Sequence, residues 1–244
     1  MGKRIRVQRR GRGSSTFQAS THKRVAPAKY PNPPKEKLES VLRGQVVQLL
    51  HDPGRGSPLA YIELEGDEPS YYSVVPEGVH EGQKVELGEK ASVKVGNVIP
   101  IGKIPEGTMV CNIELSPGDG GKMVRSSGSY ATVVSHTPDG AMVKLPSGKT
   151  RYVNDLCLAT VGVVSAAGRT EKPFLKAGSK YHLMKSKGHK YPRTRGRAMS
   201  VHVHPFGSGR RGGRRVTTVS RDAPPGKKVG LISARGAGKR KRKR

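Results

Sequence analysis

Short runs of β-branched and other apolar residues, separated by turn residues, fill the middle of the chain from Leu38 to about Val164. Turns rich in glycine and proline, such as Pro138-Asp139-Gly140, bound these runs, and almost no segment has the apolar spacing that is typical of a helix. The pattern therefore predicts an all-β fold of small barrels. The predicted strand runs are Val41–Leu50, Leu59–Leu64, Tyr71–Val75, Lys84–Leu87, Ala91–Val95, Val98–Gly102, Thr108–Leu115, Lys122–Arg125, Tyr130–His136, Ala141–Leu145, Thr150–Asn154 and Leu158–Val164.

Two small barrels fit these runs better than one large barrel, and we place the boundary between them near Gly88 to Val98. The periodicity ends on both sides of this β body. Residues 1–37 and 166–244 are rich in glycine, proline and basic residues, which predicts two extensions. They contain little apolar surface to bury, so we expect them to become ordered only on a partner.

The charge of the chain lies wholly in its two ends. There are 46 Lys and Arg against 18 Asp and Glu, a formal net charge of +28. Residues 1–40 hold eleven basic and two acidic residues, residues 41–165 hold eleven and fourteen, and residues 166–244 hold twenty-four and two. Such an excess predicts a polyanionic partner, for which nucleic acid is the first candidate.

A membrane is the weaker candidate. The sequence has no apolar run long enough to span a bilayer, and no apolar signal segment follows the basic start. We therefore expect a soluble, intracellular protein with no membrane partner.

The stretch from Tyr191 to Arg215 concentrates the chemistry of RNA binding. It holds seven arginines, five glycines, two histidines and two aromatic residues, but no carboxylate that could neutralise its charge. Guanidinium groups bind phosphate through two donors, glycine lets the backbone approach a ligand, and aromatic rings stack on bases. Arginines near Phe17 and Tyr30 give the N-terminal extension a similar character. The predicted RNA-binding residues are Arg10, Arg12, Arg125, Arg169, Lys185, Lys187, Arg193, Arg195, Arg197, His202, His204, Gly207, Gly209, Arg210, Arg211, Arg214, Arg215, Arg221, Lys227 and Lys228.

Two glycine-containing loops were candidates for phosphate binding. Gly148-Lys149-Thr150 matches the end of a nucleotide-binding loop, but Val143 stands where that motif requires glycine. The loop from Ser116 to Tyr130 offers glycines, hydroxyls and Arg125. These residues suit a phosphate cradle and a plain barrel turn equally well.

Metal and catalytic sites receive little support from the sequence. His202 and His204 are close enough to share a metal ion, but the arginines around them would repel a divalent cation. Cys111 and Cys157 lack zinc-site spacing, so we expect buried free thiols. No combination of nucleophile, base and acid stands out. We expect no enzymatic activity, no resident metal and no cofactor.

Four motifs resemble a known family. They are H-D-P-G-R-G-S-P-L-A from His51, S-P-G-D-G-G-K-M-V-R-S-S-G-S-Y from Ser116, R-T-R-G-R-A-M from Arg193 with H-P-F-G from His204, and R-D-A-P-P-G-K-K-V-G-L from Arg221. Together they resemble the L two family of large-subunit ribosomal proteins, in its archaeal and eukaryotic branch. The resemblance implies an oligonucleotide-binding (OB) barrel over residues 38–90, an SH3-like barrel over residues 91–165, and extensions that enter ribosomal RNA (rRNA).

The resemblance also implies a function. Members are primary rRNA-binding proteins that support assembly of the large subunit, its association with the small subunit and the peptidyl transferase region. The implied partners are large-subunit rRNA with its Mg²⁺ ions nearby, neighbouring ribosomal proteins and the small subunit, in cytoplasmic ribosomes. The family pattern before the histidine is Asn-Pro-Val-acid, whereas residues 200–203 are Ser, Val, His and Val here. The missing acid favours RNA contact over catalysis for His204.

Two other functions stay open from the sequence alone. An RNA-modifying enzyme could use basic extensions to hold its substrate, with His204 as a general base. A DNA-compacting protein would also be basic, although aromatic residues within the extensions favour single-stranded and looped RNA.

Overall fold

A computed structural model describes residues 4–9, 14–34, 38–66, 69–207 and 218–234. Most of the regular structure in these residues is β-strand, and the predicted all-β class is confirmed. The strands are β1 (Leu42–Leu50), β2 (Leu59–Leu64), β3 (Tyr71–Val74), β4 (Lys84–Leu87), β5 (Val98–Pro100), β6 (Met109–Cys111), β7 (Ala131–Thr137), β8 (Gly140–Lys144), β9 (Thr150–Val153), β10 (Leu158–Val161), β11 (Thr218–Val219) and β12 (Leu231–Ile232). The helices are α1 (Ala177–Ser186) and short 3-10 turns at Arg6–Arg9, Ser15–Phe17, Thr21–Lys23, Ile101–Lys103, Ala167–Thr170 and Gly196–Ala198.

Residues 20–177 form one compact unit, which we call the β body. Its ten strands run in the order β3-β2-β1-β4-β5-β10-β6-β7-β8-β9. Neighbouring strands are antiparallel except β4 and β5, which pair in parallel where Leu87 faces Val98. This short junction lies in the part of the chain where the sequence placed the boundary between barrels. The predicted barrel limits themselves stay a prediction.

Two apolar clusters fill most of the core of the β body. One gathers Val46, Ile62 and Leu87 with their neighbours, and the other is built around Ile99 and Val133. The strand period of two decides which side chains reach these clusters, since successive residues point to opposite faces of a sheet. The alternation explains why valines adjacent in sequence can differ completely in exposure.

The two cysteines lie inside the β body as free, buried thiols, as the sequence predicted. Burial raises the pKa of the Cys111 thiol to about 12. For Cys157, burial and the nearby Glu114 carboxylate raise the pKa to about 11. Neither thiol is ionised at neutral pH, so both act as small apolar side chains.

Two predicted strand runs were wrong. Residues 91–95 form a turn, because the Glu86 carboxylate accepts hydrogen bonds from the Ser92 backbone amide (2.8 Å) and hydroxyl (2.6 Å) and from the Asn97 side-chain Nδ2 (3.2 Å). The two bonds from Ser92 lower the pKa of Glu86, although partial burial opposes them. The run from Lys122 is broken by Val124, whose positive φ of 55° no extended strand allows.

The second compact unit, which we call the terminal unit, comprises residues 1–19 and 178–244, as far as they are described. The Gln8 side chain ties its two ends together, since it donates to the Lys228 carbonyl (3.2 Å) and accepts from the Gly226 amide (3.1 Å). Strands β11 and β12 pair in parallel within it. The described segments of the two extensions thus contact each other, and their ordering on a partner stays a prediction.

Helix α1 was also missed by the sequence pattern. Of its ten residues only Ser186 is buried, so the helix has no apolar stripe from which it could be predicted. The helix ends at Ser186, and two residues later Gly188 is left-handed (φ 67°), which lets the His189 amide reach the Met184 carbonyl (2.8 Å). No helix among the described residues is long and apolar enough to cross a membrane.

Candidate RNA-binding site

The loop between β1 and β2 is built around a buried carboxylate. Asp52 is only 1% exposed; its Oδ1 accepts from the Gly54 amide (2.9 Å) and its Oδ2 forms an ion pair with Arg55 Nε (2.7 Å). The backbone carbonyl of Asp52 also accepts from the Arg55 and Gly56 amides. The loop therefore holds Arg55 in a fixed position instead of leaving it free to move.

Arg55 and Arg125 together fasten the chain that leads into the β body. Arg55 Nη2 donates to the carbonyl of Ala26 (2.8 Å), and Arg125 Nη2 donates to the carbonyl of Ala28 (2.8 Å). Arg125 Nη1 donates to the Gly121 carbonyl (2.9 Å) as well. Residues 26–30 are consequently anchored by side chains from two different loops.

Tyr30 is buried by this anchoring. It is 4% exposed, and its hydroxyl donates to the Asn112 carbonyl (2.8 Å) and also bonds the Thr160 hydroxyl. Burial is the main reason that its pKa is raised. Tyr30 therefore cannot stack on RNA bases, because its ring is not accessible. Its place near basic residues in the sequence did not reveal that it faces the core.

Two further arginines lie against the glycines of the same loop. A Cβ atom on Gly54 would stand 2.7 Å from Arg24 Cγ, and one on Gly56 would stand 2.7 Å from Arg169 Cζ. Arg169 also donates through Nε (3.3 Å) and Nη2 (3.0 Å) to the Ser127 hydroxyl. We call these four residues, Arg24, Arg55, Arg125 and Arg169, the arginine cluster.

The electrostatics of the arginine cluster favour an anion. Burial and the nearby Arg55 charge lower the pKa of Arg125, although an arginine remains cationic at neutral pH. Among the described residues, Asp52 is the carboxylate that forms an ion pair with an arginine of the cluster. Its side chain is fully buried. Ser57, 2% exposed, adds a hydroxyl without a hydrogen-bond partner in the described structure. A phosphate group would offset the repulsion between guanidinium groups and accept their remaining donors.

The loop from Ser116 to Tyr130 has a defined internal frame. Glu114, 1% exposed, accepts from the amides of Gly120 (2.8 Å), Leu158 (2.9 Å) and Gly118 (3.3 Å). Partial burial raises the pKa of Asp119, but hydrogen bonds from Leu115 and Gly121 and the Lys122 charge outweigh this, so that the pKa is lowered. The loop thus places Arg125 next to Arg55. Whether Arg125 also contacts RNA stays a prediction.

Substitution of Gly56 tests the geometry of the cluster. We expect Gly56→Ala to weaken RNA binding, because the methyl group would displace the Arg169 guanidinium. Gly148→Ala is the matched control: both glycines have positive φ (93° and 80°), so both variants suffer a similar backbone strain of about 1–2 kcal/mol, but nothing lies within 4 Å of a Cβ at Gly148. The measurement is rRNA affinity at a temperature where both variants are folded. Equal RNA affinities of the two variants would refute a role for Arg169 in RNA binding.

In the terminal unit, the structure brings the arginine motif that begins at Arg193 into contact with the histidine motif that begins at His204. A Cβ atom on Gly196 would stand 2.4 Å from His204 Cε1, so the imidazole lies directly on the Gly196 backbone. His204 Nδ1 accepts from the Phe206 amide (3.0 Å), and the two rings are 5.2 Å apart. Partial burial lowers the pKa of His204. The lowered pKa favours the neutral ring, and because Nδ1 accepts from the Phe206 amide, the proton of the neutral ring sits on Nε2, where it is a donor.

The remaining predicted residues divide by exposure. Lys185, Arg193, Arg195, Arg197, His202, Arg221 and Lys227 are exposed, and Lys187 and Lys228 are half-exposed. Gly207 is buried, with the carbonyls of Met199 and Ser200 where a Cβ would be. Gly207 therefore shapes the His204 turn, and its predicted contact with RNA stays untested. The predictions for Arg10, Arg12, Gly209, Arg210, Arg211, Arg214 and Arg215 lie outside the described residues.

The sequence missed Arg24 and Arg55 as members of the site. The signal for Arg55 was present, since it stands between two glycines in one of the motifs that carried the family resemblance. Arg24 carried no such signal, because only folding brings it to Gly54. In the described part of the chain no group of three or more His, Cys, Asp or Glu residues is placed to hold a metal ion.

Comparison with known proteins agrees with this geometry. Residues 1–87 match the family model "Ribosomal Proteins L2, RNA binding N-terminal domain", and residues 94–228 match "Ribosomal Proteins L2, C-terminal domain". Similar relatives carry the name "Large ribosomal subunit protein uL2". The chain is 49% identical to that of Korarchaeum cryptofilum (100% of this chain, 98% of the relative) and 50% identical to that of Methanocaldococcus jannaschii (99% and 100%).

An all-β body with clustered arginines and a basic terminal unit, matched over nearly its whole length, defines the chain as a ribosomal protein. More specifically, the chain belongs to the L2 family of ribosomal proteins, as its motifs predicted, and the relatives named above are archaeal. The matched N- and C-terminal domains fit the OB-like and SH3-like barrels that the resemblance implied.

Proposed function

We propose that this chain is a structural protein of the large ribosomal subunit that binds rRNA in cytoplasmic ribosomes. Its relatives are named as large-subunit proteins, and its N-terminal region matches an RNA-binding domain. The observation that carries the proposal is the arginine cluster, in which four guanidinium groups lie around one rigid loop with a single, buried carboxylate. RNA phosphates are the partner that this arrangement suits.

We further propose that the protein supports assembly of the large subunit, its association with the small subunit and the peptidyl transferase region. Neighbouring ribosomal proteins and rRNA-bound Mg²⁺ ions would lie close to it. The exposed basic residues of the terminal unit suit contacts with RNA phosphates, and the neutral His204 ring offers one Nε2 donor.

Its contribution is to binding and not to catalysis. His204 Nδ1 is occupied by the Phe206 amide, so this nitrogen does not serve as a free general base. The alternative of an RNA-modifying enzyme gains no support from the family to which the chain belongs.

The salt dependence of binding tests the proposal. We expect the affinity of the full chain for large-subunit rRNA to fall steeply between about 50 and 200 mM salt, with a log-log slope of about −0.7 to −0.9 for each phosphate neutralised. Arg169→Gln should reduce the magnitude of the slope by about one such increment. Lys149→Gln, at an exposed lysine that is not among the predicted site residues, is the control of equal charge change. An affinity that does not change with salt, which is a log-log slope near zero, would contradict phosphate binding.

Replacement of His204 tests the non-catalytic role. We expect His204→Gln to assemble into large subunits that still form peptide bonds, because a glutamine offers one acceptor for the Phe206 amide and one outward donor. The measurement is peptidyl transfer by purified subunits, with His189→Gln, at an exposed histidine that is not among the predicted site residues, as the control. Subunits that assemble normally but do not form peptide bonds would overturn this role.

A further inference from the structure

A pocket on the β body has the opposite character to the arginine cluster. Among the described residues that line it, proline and leucine side chains form the majority, and the charged ones are the acidic residues Glu39, Glu89 and Glu114. The cavity measures about 230 Å³. Leu156, 54% exposed, lies in its lining. In a chain with a net charge of +28, this pocket stands out as an acidic and apolar recess.

Hydrogen bonds that involve backbone groups hold the walls of the pocket in place. The Glu89 amide donates to the Leu38 carbonyl (2.8 Å), which fixes one wall. The Glu114 carboxylate accepts from the amides of Leu158 and Gly118, which join a strand to the opposite loop. Four prolines contribute rigid rings to the lining. The pocket is therefore formed before a ligand arrives, which reduces the entropy lost on binding.

The chemistry of the lining selects the occupant. Three carboxyl groups repel RNA phosphates, so the pocket is not a continuation of the RNA-binding site. Lys103 Nζ lies 3.8 Å from Glu89 Oε2, but its side chain is 59% exposed and this contact is weak. The cavity is smaller than the roughly 300–1,000 Å³ of typical small-molecule sites, and it matches a single inserted side chain better.

We propose that this pocket receives an arginine side chain from a basic segment of a neighbouring ribosomal protein. An arginine combines an apolar stem, which would pack on the proline and leucine side chains, with a guanidinium group that would pair with Glu39 and Glu89. Arginine is also among the residues that most often anchor protein interfaces. The assignment rests on the proposed function, because the ribosome supplies the neighbour.

Photocrosslinking in intact large subunits tests the proposal. The full-length chain would carry p-benzoylphenylalanine in place of Leu156, and subunits would be purified before irradiation. We expect a crosslink to another protein, mapped to a segment that contains arginine. Glu39→Gln combined with Glu89→Gln should lower the crosslink yield about tenfold. Glu63→Gln combined with Glu65→Gln makes the same charge change at exposed residues outside the lining, and should leave the yield unchanged.

The outcomes separate this proposal from the proposed function. A crosslink to rRNA, a crosslink within the same chain, or no protein crosslink in subunits that contain the chain would overturn the arginine pocket alone. A yield that is insensitive to loss of Glu39 and Glu89 would also overturn it. Failure of the unmodified chain to sediment with large subunits would overturn the proposed function, and this assignment with it.

Discussion

A chain that ends at Ala177 should lose specific binding to large-subunit rRNA while its β body stays folded. Residues 178–244 carry 21 Lys and Arg against one acid, so the truncation removes most of the net charge of +28. It also removes the His204 turn. The two apolar clusters of the β body, and a smaller one around Leu59 and Val164, lie within residues 28–164, which is the reason to expect the remaining body to fold.

The position of the cut matters. Arg169 contacts Ser127 and Gly56, and a Cβ on Gly128 would stand 2.7 Å from Ala167 Cβ. A truncation at residue 166, where the sequence placed the start of the extension, would therefore disturb the β body in addition to removing the extension. Ending at Ala177, the last residue of the compact body, separates the two effects.

The truncation has a clear measurement. Specific nucleic-acid affinities commonly exceed non-specific ones by about 10³-fold or more, so the affinity for the rRNA site should fall at least that far. Circular dichroism and urea unfolding should show a retained cooperative β body. A chain that lacks only the last six residues is the control, and it should keep its preference for the specific site. Unchanged affinity of the shorter chain would contradict a binding role for the terminal unit.

Loss of Arg55 should destabilise the β body. Arg55→Ala would leave the Asp52 carboxylate, whose side chain is fully buried, without its ion-pair partner. Removing one partner of a buried ion pair typically costs about 3–5 kcal/mol, and we expect about 3 kcal/mol here because Asp52 keeps its bond from the Gly54 amide. The hydrogen bond to the Ala26 carbonyl would be lost as well, so residues 26–30 should loosen.

A second substitution identifies the cause. If the unpaired, buried charge of Asp52 causes the loss of stability, Asp52→Asn combined with Arg55→Ala should be more stable in urea than Arg55→Ala alone. Arg55→Lys should be intermediate, because one ammonium group cannot reproduce a guanidinium that bonds two partners. Arg151→Ala, at an exposed strand position, is the control and should change stability by no more than about 0.5 kcal/mol. A stability of Arg55→Ala equal to that of the control would refute the role of the pair.

The strand pattern was the most informative part of the sequence for the fold. Val46 is buried and Val47 is 45% exposed, as the period of two requires. The pattern misled where side-chain hydrogen bonds replaced a strand ladder, as around Glu86, or where the backbone turned left-handed at Val124. Helix α1 escaped prediction because it buries almost no apolar surface.

For the site, the sequence predicted the kind of partner better than it predicted the arrangement of the residues. Charge counts and motifs indicated RNA because charge is a sum over residues and does not depend on the path of the chain. They could not show that Arg125 bonds two backbone carbonyls, or that Tyr30 lies in the core. Those facts depend on which residues burial brings together.

The sequence by itself determined the all-β class, the family and the anionic nature of the partner, since these follow from local periodicity, motifs and net charge. Only the tertiary structure decided that Arg24, Arg55, Arg125 and Arg169 share one site, that His204 rests on Gly196 as a neutral ring, and that three acids meet in one pocket. The physical reason is that side-chain function depends on desolvation and on distance, and both are set by contacts between residues far apart in the chain.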